Sequence, residues 1–169
     1  MIGGIIFEGA DQQGKTTLAK KVQEKVNMPI MHFGIPDKHT DFSNEYIKDI
    51  PKNDFQPIIF DRSYVSEIVY GNIFRGGTGI TNKIKAHIED FLNNCGYILV
   101  LCKRKNYKWE ERDEDYTESD NIKVMNSYDE VFETVKLPKI IVDPFDSDAD
   151  QQVVDFWLKN NEELDARPQ

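Results

Sequence analysis

A glycine-rich loop with a lysine and two threonines lies near the beginning of the chain. Residues 7–17 read Phe-Glu-Gly-Ala-Asp-Gln-Gln-Gly-Lys-Thr-Thr, which contains the spacing G-x-x-x-x-G-K-T directly after an apolar run. Glycines at these positions let backbone N–H groups turn towards a polyphosphate, while Lys15 reaches its β- and γ-phosphates and the Thr16 hydroxyl ligates Mg²⁺. The alternative is a chance match in an ordinary glycine turn. The spacing predicts a P-loop, with phosphates contacting Gly9, Asp11, Gln12, Gln13, Gly14, Lys15, Thr16 and Thr17.

A second group of charged residues follows the apolar run 57–60. Asp61 and Arg62 come directly after this run and precede Ser63-Tyr64. An acid at a strand end can order Mg²⁺ or orient an attacking oxygen, and an arginine can bind a phosphate through two N–H groups. Phosphoryl transfer needs both, because its catalysis is mainly positioning and charge neutralisation. The alternative is that Asp61 caps a helix and Arg62 lies on a solvated face.

The elements that must position these residues alternate along the chain. Short apolar runs at 2–7, 29–33, 57–60, 97–102 and 139–142 have the length of strands. Helical periodicity is found at 15–26, 41–50, 63–74, 81–94, 117–135 and 149–163. Thr117 and Asp120 have the spacing of a capping box. The alternation predicts a three-layer α/β sandwich, in which a five-stranded parallel sheet has helices on both faces and binds ligands at the carboxyl ends of its strands.

Composition restricts the class of protein. The chain has 169 residues, 39% hydrophobic content and a formal net charge of −9, which favours a single domain over 1–169 and argues against nucleic acid as the main partner. Cys95 and Cys102 lie in or beside an apolar stretch and are predicted to be buried thiols in a reducing compartment. No secretory signal or membrane-spanning segment is predicted, so we expect a cytoplasmic protein.

The glycine-rich loop at 7–17 and the Asp61-Arg62 motif resemble those of thymidylate kinases. The P-loop reads F-E-G-x-D-x-x-G-K-T-T, and Asp61-Arg62 is followed by Ser66 and Tyr70 at the family's spacing. The resemblance implies that the γ-phosphate of ATP is transferred, with Mg²⁺, to a deoxynucleoside monophosphate, a dTMP- or dUMP-like pyrimidine being favoured. It also implies that Lys15, Asp61 and Arg62 are catalytic, that Thr16 and Asp61 hold the metal, and that the acceptor contacts Glu8, Asp11, Arg62, Ser66 and Tyr70.

Two further residues are candidates for the acceptor side. Phe33 is placed to stack on a base, the alternative being a buried core phenylalanine. Arg75 precedes Gly76-Gly77 and faces either the acceptor or the solvent. Dimers are common in the resembled family, and the helices predicted at 63–74 and 81–94 are candidate surfaces for a homodimer.

The chain also departs from the family's pattern. Gly71 stands where the family has a glutamine. The family usually has an arginine after the second strand, and this arginine is missing from residues 32–36, His-Phe-Gly-Ile-Pro. The segment between that strand and Asp61 is short. These departures suggest a trimmed, phage-type kinase with an altered base preference, which would act in the host cytoplasm.

A basic segment follows the fourth predicted strand. It reads Lys-Arg-Lys-Asn-Tyr-Lys at 103–108, with Arg112 a turn or two later. Such a segment, at about 103–116, has the position of the lid of a P-loop kinase, where an arginine neutralises transition-state charge and the closed lid excludes water. Arg104 and Arg112 are the candidates, Arg112 being preferred as the catalytic one because acids follow it. The alternative is a solvated charged face.

Two other functions compete with a monophosphate kinase. One keeps the fold but transfers phosphate to a free deoxynucleoside or to a modified base in DNA, which Gly71 and the short acceptor region favour. The other, from a different class, is a nucleotide-dependent binding switch of the GTPase kind. That switch needs a guanine-reading N-K-x-D sequence, whereas Asn82-Lys83 continues Ile84-Lys85 in a predicted helix, and Tyr64 occupies the glycine position of a D-x-x-G motif.

Overall fold

The computed structural model describes residues 3–37, 39–111 and 116–166. Its five strands form one parallel sheet in the order β2-β3-β1-β4-β5, as the alternation of elements predicts. The strands are β1 Ile5–Glu8, β2 Ile30–His32, β3 Ile59–Asp61, β4 Ile98–Cys102 and β5 Lys139–Val142. The helices are α1 Lys15–Val26, α2 Asp49–Lys52, α3 Tyr64–Phe74, α4 Asn82–Asn94, α5 Glu118–Thr134 and α6 Ala149–Asp165.

The sheet separates two apolar layers. On β1, Ile6 points to one face, where it joins a cluster with residues of α3, α4 and α5, while Ile5 and Phe7 point to the other face and join residues of α1 and α6. All three side chains are fully buried. Because successive side chains of a strand alternate between faces, a strand that is covered on both sides is apolar at every position, which is the pattern of a parallel sheet between two helical layers.

Three helices begin with a capping side chain, of which only Thr117 was predicted as a cap. The side-chain oxygens of Ser63, Thr81 and Thr117 accept backbone N–H groups at the starts of α3, α4 and α5. At α5 the Asp120 carboxylate accepts in return from the Thr117 backbone, which completes the predicted capping box. Cys95 and Cys102 are buried free thiols, as predicted. Among the described residues, none of the helices has the length and apolarity needed to cross a membrane.

The helix predicted at 41–50 is wrong. The Asp41 carboxylate accepts hydrogen bonds from the Ser43 backbone N–H at 3.1 Å and from the Asn44 side-chain amide at 2.8 Å, as a helix cap would, but residues 42–48 form turns and not a helix. Asp41, Ser43 and Asn44 are weak helix formers. The helix α2 begins only at Asp49, and Pro51 lies in its first turn, where a proline removes no helical hydrogen bond. The strand predicted at 2–7 begins at Ile5, and residue 2 lies outside the described residues.

Candidate active site

The carboxyl ends of β1 and β3 bring the two sequence motifs together. Phe7 pairs with Asp61 in the sheet register, so the loop that follows β1 and the residues that follow β3 meet at one edge. Within this loop Gly9 has φ 146° and Gly14 has φ 79°. A Cβ on Gly9 would lie 2.7 Å from the carbonyl oxygen of Cys102, so this position needs glycine for space as well as for conformation.

Lys15 and Thr16 both contact Asp61. The Lys15 ammonium lies 2.9 Å from Asp61 Oδ1, and the Thr16 hydroxyl donates to Asp61 Oδ2 at 3.0 Å. His32 at the end of β2 places Nδ1 3.3 Å from the same Oδ2. Burial alone would raise the pKa of Asp61, but the Lys15 charge and the hydrogen bonds from Lys15, Thr16 and His32 hold it below its ordinary value. Asp61 is therefore a carboxylate at neutral pH.

The paired oxygens of Thr16 and Asp61 suit a magnesium ion. A P-loop hydroxyl and an acid on the strand next to the P-loop strand are the protein ligands that such NTPases use, the other ligands being phosphates and water. Among the residues that the structure describes, no three His, Cys, Asp or Glu side chains form a metal-binding group. A site built from one hydroxyl and one carboxylate does not need such a group, so the residues present fit the ion.

Arg62 follows β3 at the same edge of the sheet. Its backbone has φ 72°, which is uncommon for a residue with a side chain, while its N–H still donates to the Phe7 carbonyl at 3.0 Å. The guanidinium lies 2.6 Å from the Asp11 carboxylate and 5.0 Å from the centre of the Tyr70 ring. Only 19% of the side chain is exposed. Since Ser63 caps α3 and Arg62 is not on a solvated face, the capping alternative for Asp61-Arg62 is wrong.

Glu8 is fully buried at the end of β1. Its carboxylate accepts hydrogen bonds from the hydroxyls of Ser63 at 2.6 Å, Ser66 at 2.5 Å and Tyr128 at 3.2 Å. Burial raises the pKa of Glu8, and the hydrogen bonds from Ser63 and Ser66 oppose this effect. Glu8 and Ser66, both predicted to contact the acceptor, therefore bind each other. Tyr128 was not found by the sequence analysis, because nothing marks a tyrosine in the middle of α5 as part of the site.

Phe33 and Arg75 are also committed to protein contacts. The Phe33 ring lies 5.2 Å from the Phe60 ring and 5.0 Å from the Tyr46 ring, so it packs at the edge of the core. It is only partly buried and lines a cavity of about 730 Å³, so its contact with a base stays a prediction. The Arg75 guanidinium binds the carboxylate of Glu67, which is 5% exposed. Arg75 is thus held against α3 by Glu67, and its contact with an acceptor stays a prediction.

Gly71 is required by the packing of the turn that follows α3. A Cβ on this residue would lie 2.9 Å from Glu67 Oε1 and 3.1 Å from the Cα of Thr78. Its carbonyl accepts the backbone N–H groups of Arg75 at 3.1 Å and Gly77 at 3.0 Å. A side chain at this position would therefore need Glu67 and the Thr78 backbone to shift.

The described part of the predicted lid contacts the P-loop. The Arg104 backbone N–H donates to Gln13 Oε1 at 2.8 Å, and its guanidinium donates to the Gln12 carbonyl at 3.3 Å. The same guanidinium lies 4.1 Å from the centre of the Phe145 ring, which follows β5 and covers Gly14. Arg104 is thus beside the P-loop, and its contact with donor phosphates stays a prediction. Arg112, the predicted catalytic lid arginine, lies outside the described residues.

A buried asparagine joins the lid, the P-loop and α5. Asn121 is fully buried, and its amide donates to the Asp11 carbonyl at 3.3 Å and to the Tyr107 hydroxyl at 2.6 Å. Its oxygen accepts from the Tyr116 hydroxyl at 2.8 Å. Sequence reasoning missed Asn121, since its partners are distant along the chain and belong to no motif.

Solved structures of nucleotide kinases are similar to this chain. YorR from Bacillus subtilis, solved in complex with phosphorylated GDP, has a TM-score of 0.71 and 21% identity, covering 94% of this chain and 97% of that chain. Deoxyadenosine kinase from M. mycoides with bound dATP has a TM-score of 0.58 and 16% identity, over 92% of this chain and 99% of that one. Thymidylate kinase from Ehrlichia chaffeensis has a TM-score of 0.50 and 15% identity, over 97% and 98%.

At the level of sequence, no protein-family model matches the chain, and a search of curated proteins finds no match. At these identities the structural similarity establishes the arrangement of the chain and leaves its substrate open. The sheet order and the P-loop agree with that arrangement. The chain has the fold of the P-loop nucleotide kinases.

Proposed function

We propose that the chain is an ATP-dependent nucleotide kinase that phosphorylates a deoxynucleoside monophosphate to the diphosphate. The observation that carries this proposal is that two ion pairs, Lys15 with Asp61 and Arg62 with Asp11, lie at one edge of the sheet. The first pair stands at a phosphate-binding loop and the second beside it, where an acceptor must approach a donor. The domain would extend over 1–169, with a lid at about 103–116.

On the donor side, the P-loop backbone and Lys15 would bind the phosphates of ATP. The positive end of the α1 dipole at Gly14 and Lys15 favours negative charge there. Thr16 and Asp61 would hold Mg²⁺, which supplies neutralisation of the charge on the transferred group. Arg104 would approach the same phosphates from the lid, and Phe145 beside it offers an apolar ring to the rest of the donor.

On the acceptor side, Arg62 would bind the phosphate that receives the transferred group. A guanidinium binds a phosphate through two parallel N–H groups. The contacts with Asp11 and Tyr70 hold the Arg62 guanidinium in place before an acceptor binds. The Asp11 side chain is 45% exposed, so an acceptor can reach its pair with Arg62. Asp11 would then help to orient the acceptor. Catalysis of this kind comes from positioning and charge.

The resemblance to thymidylate kinases favours a pyrimidine monophosphate such as dTMP or dUMP. The similar structures include complexes of YorR with phosphorylated GDP and of deoxyadenosine kinase with dATP, so purines belong in the same test. Deoxyadenosine kinase also makes a free deoxynucleoside the second candidate acceptor. Small-molecule nucleotides would be the partners, and a homodimer through α3 or α4 stays a prediction.

A coupled assay of ADP release tests the proposal. Purified protein with Mg-ATP is offered dTMP, dUMP, dCMP, dGMP and dAMP, then the free deoxynucleosides and single-stranded DNA, with Lys15→Ala as the inactive control. Stimulation by one or more monophosphates is expected. Binding of Mg-ATP without stimulation by any of them would reject a monophosphate kinase, and stimulation by nucleosides or DNA alone would select the second candidate.

A further inference from the structure

The side chain of Gln12, in the P-loop, binds the backbone of Glu110 in the predicted lid segment. Its amide nitrogen donates to the carbonyl of Glu110 at 2.5 Å, and its amide oxygen accepts the Glu110 N–H at 2.9 Å. The Gln12 side chain thus binds both the N–H and the carbonyl of Glu110. A side-chain amide is the group that can make this pair, because it carries a donor and an acceptor side by side.

The backbone of Gln12 is held in an unusual conformation. Its φ is 61°, in the left-handed region that residues with a Cβ seldom adopt. Strain of this kind is found where the position of a side chain matters, and it persists only when surrounding contacts hold it. At Gln12 those contacts are with residues 104 and 110, which lie 92 and 98 positions further along the chain.

The neighbours of Gln12 make parallel contacts with the same segment. Gln13 accepts the backbone N–H of Arg104, and the Gln12 carbonyl accepts from the Arg104 guanidinium. Arg104 and Glu110 are therefore tied at both ends of the described lid segment, residues 104–110. The remaining basic residues of this segment bind other elements or are exposed, for example Lys105, which pairs with Asp146.

We propose that Gln12 is a positioning residue that holds the lid closed over the P-loop and so presents Arg104 to the donor phosphates. This inference deepens the proposed function and rests on it for the part that concerns catalysis. The part that concerns the lid itself does not depend on any activity.

Two substitutions separate positioning from folding. Gln12→Met keeps the size of the side chain and the backbone strain but removes both hydrogen bonds, whereas Gln12→Gly removes the hydrogen bonds and the strain together. The melting temperature of Gln12→Gly is therefore expected to be no lower than that of Gln12→Met. Gln56→Ala, on an exposed residue of the loop before β3, is the matched control.

Two readouts follow the lid directly in the protein without nucleotide. Trypsin cleavage at residues 104–108, mapped by mass spectrometry, is expected to be about tenfold faster in both Gln12 variants, since two neutral hydrogen bonds are lost. Acrylamide quenching of tryptophan fluorescence is also expected to increase, because Trp109 lies in the lid while Trp157 is only 8% exposed. Gln56→Ala should match the unchanged protein in both.

Three outcomes would overturn the inference. The first is cleavage and quenching in both Gln12 variants that equal the control, and the second is faster cleavage throughout the chain, which would make Gln12 a residue of general stability. The third concerns catalysis: an enzyme that phosphorylates its acceptor with an unchanged kcat although the lid is cleaved faster. If no acceptor is phosphorylated by any variant, the proposed function fails and the first two readouts still decide the role of Gln12.

Discussion

The Arg62 guanidinium lies 2.6 Å from the Asp11 carboxylate, so an ion pair joins the end of β3 to the P-loop across the candidate active site. The two residues are 51 positions apart in the chain. Their contact follows from the sheet order, which places β3 directly beside β1. An acceptor phosphate would replace the Asp11 carboxylate as the partner of Arg62. The ATP that donates the γ-phosphate would lie on the adjoining P-loop.

Substitution of Arg62 is expected to affect the acceptor more than ATP. Arg62→Ala should lower kcat/KM for the monophosphate by about a hundredfold, because a charge-assisted contact is worth about 1.5–3 kcal/mol, and should leave KM for ATP within about twofold. Arg62→Lys should recover part of this loss, since it keeps the charge and loses the two-pronged geometry. Steady-state kinetics with each substrate varied in turn measure the effect.

The matching readout is thermal stability. Asp11 is 45% exposed, so water replaces much of what the ion pair contributes, and the melting temperature of Arg62→Ala should change little. Intact acceptor kinetics together with a large fall in melting temperature would show that Arg62 is structural.

The Lys15–Asp61 pair should contribute both to stability and to turnover, and substitutions should affect the two differently. Both side chains are buried, with exposed fractions of 8% and 5%, so Lys15→Met leaves an uncompensated carboxylate and should destabilise the fold by about 3 kcal/mol. Lys15→Met/Asp61→Asn removes the stranded charge and should recover most of this loss. Neither variant should turn over ATP, since a preorganised charge contact is typically worth about a hundredfold or more in kcat.

Urea unfolding and ADP release, with the exposed Lys20→Ala on α1 as control, measure these two effects. A double variant as unstable as Lys15→Met would mean that the lost contacts, and not the unpaired charge, cause the destabilisation. Turnover by Lys15→Met would remove Lys15 from the catalytic residues.

Buried Glu8 should make stability depend on pH. Burial raises the pKa of Glu8 above its ordinary value of 4.5, so the folded chain holds this proton more tightly than the unfolded chain. Its contribution to stability is therefore fully present below the unfolded pKa and is lost as the pH rises through the folded pKa. In Glu8→Gln this loss is absent.

The melting temperature of Glu8→Gln, relative to that of the unchanged protein, should thus increase between about pH 5 and about pH 8. Ser63 and Ser66 can turn their hydroxyls to accept from the new amide, which keeps the site paired. A difference in melting temperature that is constant over this range would contradict a raised pKa.

Gly71 tests whether the departure from the family's pattern is structural. Gly71→Ala places a Cβ 2.9 Å from Glu67 Oε1 and 3.1 Å from the Cα of Thr78, and should cost about 1–3 kcal/mol. Gly34→Ala is the control, because no described atom lies within 4 Å of a Cβ there. Equal unfolding free energies for the two variants would show that the turn after α3 accommodates a side chain, and the glycine would then need another explanation.

Features that depend on neighbouring residues could be predicted from the sequence. The helix α1 has the predicted bounds, and the predicted capping box of Thr117 and Asp120 begins α5. Periodicity and capping act within a turn or two, so they are visible in a short window of sequence. The P-loop was predicted for the same reason, since its glycines impose their conformation locally.

Contacts between distant residues could not be predicted in this way. The hydrogen bond of Tyr128 to Glu8 joins residues 120 positions apart, and the pairing of Gln12 with Glu110 joins residues 98 apart. No motif announces either contact, because each depends on how α5 and the lid pack against the P-loop edge. The helix predicted at 41–50 was wrong for a local reason, since Asp41, Ser43 and Asn44 are weak helix formers and the segment forms turns up to Asp49.

The most direct test of phosphoryl transfer between nucleotides follows the transferred group itself. Protein, Mg²⁺ and ATP labelled in its γ-phosphate are incubated with the monophosphate that gives the greatest ADP release, and the products are separated by chromatography. We expect label in the terminal phosphate of the nucleoside diphosphate, and about a hundredfold less of it with Arg62→Ala at limiting acceptor. Label found in inorganic phosphate alone, with the protein folded and Mg-ATP bound, would contradict it.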